Sequence, residues 1–128
     1  MTKKIAAAAA LLLGAAGWWN YLRGGMGAAE AVRRLSGLRV AVELYRQQHA
    51  GRPPASFGET LRSGELESVP DLKLPGHPRR AGVRDTASAA VSDTGGWAYV
   101  NDPKSPDFGL VYIDCSHSDA KGRFWSEF

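Results

Sequence analysis

The sequence holds a single cysteine, Cys115, among 128 residues, so no disulfide can close within the chain. Histidine is scarce as well (His49, His77 and His117), and no paired Cys or His pattern of a zinc motif occurs. Charge of one sign is not in surplus either: 16 Lys and Arg face 13 Asp and Glu, for a net +3. That balance does not gather the single basic stripe of a nucleic-acid binder. There is no internal repeat and no low-complexity tail. At this length the chain has no room for two catalytic domains or a TIM barrel of typical size.

What is there fits one small globular unit. Apolar residues make up 44% and charged residues 23%, which excludes a wholly disordered chain. Glycine (15) and proline (7) are abundant, which predicts many loops. Charge is unevenly placed. Residues 1–27 carry +3, residues 28–82 carry nine basic and six acidic groups, and residues 83–128 carry four basic and seven acidic groups.

The first segment reads as membrane-directed. Lys3 and Lys4 are followed by an uncharged run, then by Trp18, Trp19 and Tyr21, then by Arg23. Residues 5–22, as a helix, span about 27 Å, the lower limit for crossing a hydrocarbon core. The aromatic cluster sits where an interfacial belt would, and the lysines place the N-terminus in the cytoplasm. A cleaved signal peptide is the alternative, with Gly14 and Ala16, or Ala15 and Gly17, at the cut. Both readings export the rest of the chain.

After a glycine hinge ending at Gly27, residues 28–50 show the helical period. Ala28, Ala31 or Val32, Leu35, Leu38, Val42, Tyr45 and His49 recur every three or four positions. Gly51, Pro53 and Pro54 predict a sharp stop, with Gly51 as the residue after the cap. Ser56-Phe57-Gly58-Glu59 has capping-box spacing and predicts a short second helix that Gly64 closes, with Phe57 and Leu61 packed inward. Residues 65–80 are proline-rich and predict irregular chain. Val83 and Ala89-Ala90-Val91 are weak strand candidates. Trp97-Ala98-Tyr99-Val100, Leu110-Val111-Tyr112-Ile113 and Phe124-Trp125 predict three strands of an antiparallel meander. Segregated helices and strands give an α+β fold.

This order resembles the type IV pilin and type II secretion pseudopilin family. The resemblance rests on the helix end Glu43-Leu44-Tyr45-Arg46-Gln47-Gln48-His49-Ala50-Gly51-Arg52-Pro53-Pro54 and on the following helix. It rests also on Gly95-Gly96-Trp97-Ala98-Tyr99, Gly109-Leu110-Val111-Tyr112-Ile113 and Asp119-Ala120-Lys121-Gly122-Arg123-Phe124-Trp125-Ser126. It covers residues 28–128 and implies a long amphipathic helix packed on a small antiparallel sheet. It further implies a membrane helix and a structural, non-enzymatic role. Gly25-Met26-Gly27-Ala28-Ala29-Glu30 has the letters of the family's leader cleavage site, but Arg33, Arg34 and Arg39 follow it. The apolar run precedes that site instead, so an unprocessed anchor is expected.

Each candidate chemistry has a plainer alternative. Cys115 and His117, two apart, share a face on a strand and are the pair an exported enzymatic or binding domain would use; a plain strand-end cysteine is the expectation. His49 reads as a helix C-terminal cation, and His77 as solvated between prolines. Asp102, Asp107, Asp114 and Asp119 invite a calcium site, which the family's major pseudopilins can have, but their spacing fits no known loop. Arg33, Arg34, Arg39 and Arg46 would serve DNA capture, yet Glu30 and Glu43 interrupt them. Trp97, Tyr99, Tyr112 and Trp125 are expected to be buried sheet aromatics rather than a stacking platform.

The sequence thus predicts an inner-membrane, single-pass subunit with a periplasmic domain over residues 28–128. Its partners would be other pilin-like or secretion-system subunits. No catalytic residue, cofactor or metal is expected, and the partner-binding face is Val32, Leu35, Leu38 and Val42.

Overall fold

The computed structural model describes residues 24–128. The expected membrane segment, residues 5–22, lies outside the described residues. Among the described residues no helix is long and apolar enough to cross a membrane.

The fold is mixed α+β. Helix α1 is Ala28–Gln48, 21 residues. Ala31, Leu35, Leu38 and Val42 follow the helical period and are buried against Trp97, Tyr99, Val111 and Ile113. Full burial of each large apolar side chain is worth about 1.5–3 kcal/mol. No side chain caps the helix start; Glu30 in its first turn complements the dipole. Hydrogen bonds from Arg33 and Arg34 lower the Glu30 carboxyl to about 2. Arg34 also reaches Asp71, at 2.7 Å, which ties the helix to the proline-rich segment.

The helix stops sooner than the sequence predicts. Ala50 (φ 56°) and Gly51 (φ 79°) are both left-handed, and the Gly51 N–H donates to the Arg46 carbonyl at 2.8 Å. This is the six-to-one bond of a Schellman ending, with alanine where glycine is usual. The next helix also departs from expectation. Helix α2 is Gly58–Arg62, and Ser56 forms no cap for it. Instead the Phe57 N–H donates to the Asp85 carboxylate at 3.0 Å. Phe57 is buried as expected, but Leu61 faces out and Thr60 takes the inner position, because its hydroxyl finds the Phe57 carbonyl at 2.7 Å.

Strands β1 (Val83–Thr86), β2 (Trp97–Val100) and β3 (Val111–Ile113) form one sheet in that order. The purely antiparallel meander is not what forms. β2 and β3 are antiparallel, with Trp97 opposite Ile113, whereas β1 runs parallel to β2. Phe124-Trp125 is no strand. Phe124 makes one bridge to Ser118, and Trp125–Glu127 is a 3-10 turn that buries Trp125. Alternation along β2 sends Trp97 and Tyr99 to the helix side and Ala98 and Val100 to the other face. Tyr112 and the half-buried Ala89 and Leu110 cover that second face.

A parallel pair needs a crossover, and here it is an irregular connection, residues 87–96, rather than a helix. Asp114, fully buried at the end of β3, holds it. Its carboxylate accepts from the Ser92, Asp93 and Thr94 N–H groups and from the Thr94 hydroxyl, at 2.6–3.2 Å. Burial opposes the charge, but the Thr94 hydroxyl, the Ser92 and Thr94 N–H groups and the Arg84 guanidinium outweigh it. They hold the carboxyl below its ordinary value.

Three substitutions test this account by urea denaturation. Ala50→Gly relieves the left-handed alanine and is expected to stabilise the domain by about 0.5–1 kcal/mol. Asp114→Ala strands three backbone donors and is expected to cost about 3 kcal/mol. Arg84→Gln removes a guanidinium that is 41% exposed and is expected to cost less than about 1 kcal/mol.

Candidate functional site

The connection that Asp114 holds also delivers side chains. Asp93 follows Ser92 in a left-handed conformation (φ 59°), a region that Asp tolerates better than most residues. Its two oxygens accept from the Ser116 N–H at 2.6 Å and the Ser116 hydroxyl at 2.8 Å. Gly95 (φ 73°) then lets the chain pass over an imidazole: a Cβ there would lie 2.3 Å from Cγ of His77. His77 itself comes from the Pro75-Gly76-His77-Pro78 turn. That turn is closed by the His77 N–H on the Leu74 carbonyl and followed by the Leu72–Arg80 bridge.

The three segments meet at Cys115, just beyond β3. Its Sγ lies 3.3 Å from Nε2 of His77 and 3.3 Å from Nδ1 of His117, and it accepts the His117 N–H at 3.3 Å. One ligand atom each from His77, Asp93, Cys115 and His117 falls within 4.8 Å of the others. His77 and Cys115 are buried, and Asp93 and His117 are exposed. Burial pushes the Cys115 thiol up. Burial, and then the neighbouring His117, push the His77 imidazole down. The hydrogen bonds from Ser116 hold the Asp93 carboxyl low.

A nucleophilic cysteine needs access and a lowered pKa, and Cys115 has the reverse of both. Two imidazoles, one thiol and one carboxylate at these separations are instead a donor set for a metal. His117 was legible as the partner of Cys115 from their spacing. His77 corrects the expectation of a solvated residue: the close approach of Gly95 encloses it. Asp93 was not singled out at all, and only its place beside Ser116 brings it in.

The other candidates are placed as follows. Leu35, Leu38 and Val42 are buried in the domain's own core, and Val32 is half-buried at its margin. Of the four aspartates weighed for calcium, Asp114 is internal. Asp119 accepts from the Lys121 and Arg123 N–H groups, and Asp102 from the Lys104 N–H. The one metal-capable group found among the described residues includes none of these four. The helix arginines do not form a free basic stripe. Arg33 and Arg34 pair with Glu30, Arg46 lies 3.8 Å from Glu43, and Arg39 donates to the Val111 and Phe128 carbonyls. Trp97, Tyr99, Tyr112 and Trp125 are all buried. His49 stacks on Tyr45, and its Nδ1 lies 2.8 Å from the Tyr45 carbonyl.

Gly95→Ala tests the enclosure. It combines a left-handed alanine with a clash against His77, so a loss of about 2 kcal/mol or more is expected in denaturation. Gly122→Ala, also at positive φ (78°) but with nothing within 4 Å, is expected to lose only about 1 kcal/mol. Comparison of the chain with protein-family models, curated proteins and solved structures finds no match.

Proposed function

We propose that this chain is a non-enzymatic, pilin-like or pseudopilin-like structural subunit of a secretion or pilus assembly. In this reading residues 5–22 anchor it in the inner membrane, and the domain of residues 28–128 faces the periplasm. It acts by protein–protein contact.

The observation that carries the reading is the division of α1 into two faces. One face closes the domain's own core. The opposite face bears Val40 (56% exposed) and Leu44 (40% exposed), one turn apart. Gly37 lies one turn before Val40 on the same face, with open space where a side chain would stand. Small and apolar residues at that spacing suit close helix packing. The contact surface is therefore Gly37, Val40 and Leu44, flanked by the half-buried Val32. Leu35, Leu38 and Val42 support it from inside the core.

Two measurements on the full chain test this. Washed membranes are expected to retain it, with the intact mass of all 128 residues. Recovery as a soluble chain shortened near residue 17 removes the anchor. A photo-crosslinking residue at position 40 or 44 is expected to capture a second single-span subunit or another copy of this chain. Val40→Glu with Leu44→Glu is expected to abolish assembly while moving domain stability by no more than about 0.5 kcal/mol per site. Assembly that survives this double variant removes the contact surface.

A further inference from the structure

We propose that His77, Asp93, Cys115 and His117 together bind one zinc ion as a structural, four-coordinate site. The inference is independent of the membrane and assembly reading and stands on the geometry of the four side chains.

The separations fit. With Zn–S of about 2.3 Å and Zn–N of about 2.0–2.1 Å, a tetrahedral ion sets its sulfur and nitrogen ligands about 3.5 Å apart. Cys115 Sγ stands 3.3 Å from a ring nitrogen of each histidine. Each imidazole turns a different nitrogen toward the sulfur, Nε2 from His77 and Nδ1 from His117, so the two rings converge on one point from different backbone segments. The rings are tilted, with centroids 5.3 Å apart, and do not stack on each other.

The surroundings fit as well. The Asp93 carboxylate is oriented by both Ser116 donors, the kind of outer-shell bond that fixes a ligating oxygen. The sulfur accepts a backbone N–H from His117, which favours a thiolate. As the Zn–S bond forms, the thiol proton leaves to solvent. Exposed Asp93 and His117 give the ion a path from solvent, and buried His77 and Cys115 give it a floor. Four protein donors leave no open position, which marks a structural rather than a catalytic site.

A hydrogen-bonded cluster explains these contacts less fully. Cys115 has one S–H, which can donate to one ring nitrogen, and its sulfur is only a weak acceptor for an N–H of the other ring. A cation satisfies the sulfur, both nitrogens and the carboxylate at once. The ion would join the turn at His77, the connection at Asp93 and the segment after β3. It would thereby fasten the irregular residues 65–82 to the sheet.

The test uses the full chain in detergent, stripped with a chelator and titrated with Co(II) alone, then with Zn(II) alone. One cobalt per chain is expected, with tetrahedral d–d bands and a thiolate-to-cobalt charge-transfer band that zinc abolishes. Zinc is expected to raise Tm. Cys115→Ala is expected to lose the charge-transfer band. His117→Ala, at an exposed position where folding is not at risk, is expected to bind cobalt at least tenfold more weakly. His49→Ala is expected to bind as the parent does. A folded parent chain with no charge-transfer band, a Tm that zinc does not move, or a His117→Ala variant that binds as tightly as the parent overturns the proposal.

Discussion

The buried carboxylate of Asp114 is the constraint on which the sheet depends. A charge without water is costly, and it is tolerated only where donors surround it. Here the donors are the backbone of residues 92–94, a segment with no regular structure of its own. Satisfying the charge therefore fixes the path of the connection. That path lays Ala89 over the second face of the sheet and lets β1 run parallel to β2 without a crossover helix. Tyr112 adds to the hold by donating its hydroxyl to the Ala90 carbonyl at 2.9 Å. The same bend aims Asp93 at Ser116 and brings Gly95 over His77, so the fold and the ligand cluster share one origin.

Buried polar groups elsewhere follow the same logic. The Trp97 indole N–H donates to the Pro70 carbonyl and the Tyr99 hydroxyl to the Pro54 carbonyl. Each aromatic anchors a proline-bearing segment that cannot supply a regular ladder of its own. Arg39 does the equivalent at the other edge, reaching from α1 to the Val111 and Phe128 carbonyls. The irregular half of the chain is therefore held by a few specific bonds to the regular half, and its arginines are engaged within the domain.

Much of this was legible in the sequence where the signal is local. The three-to-four spacing of Ala31, Leu35, Leu38 and Val42 gave α1, and the aromatic runs gave β2 and β3. Where a distant residue decides, the sequence was silent. The Val-Arg-Asp-Thr run of β1 has no alternation, and its partner is set by Asp114, 28 positions beyond Thr86. The α2 start takes its cap from Asp85 rather than from adjacent Ser56, which no spacing rule contains. The left-handed turn begins one residue early, at Ala50 as well as at Gly51, because the Gly51 bond to the Arg46 carbonyl sets the position. In the cluster, Cys115 and His117 were visible as a pair two apart. His77 and Asp93 lie 38 and 22 residues before Cys115, and only the tertiary fold unites them.

Strand β1 stands at the border of the sheet, with one long side unpaired. Borders of this kind invite another chain to add on, and natural proteins blunt them with brevity and charge. This one has four residues, and its middle pair is Arg84 and Asp85. Those two exposed side chains are also tied to the domain, Arg84 to Asp114 and Asp85 to the Phe57 N–H. The guard against fibril-like stacking is thus built from the same bonds that shape the domain. Loosening the interior would in the same stroke strip the border of its protection.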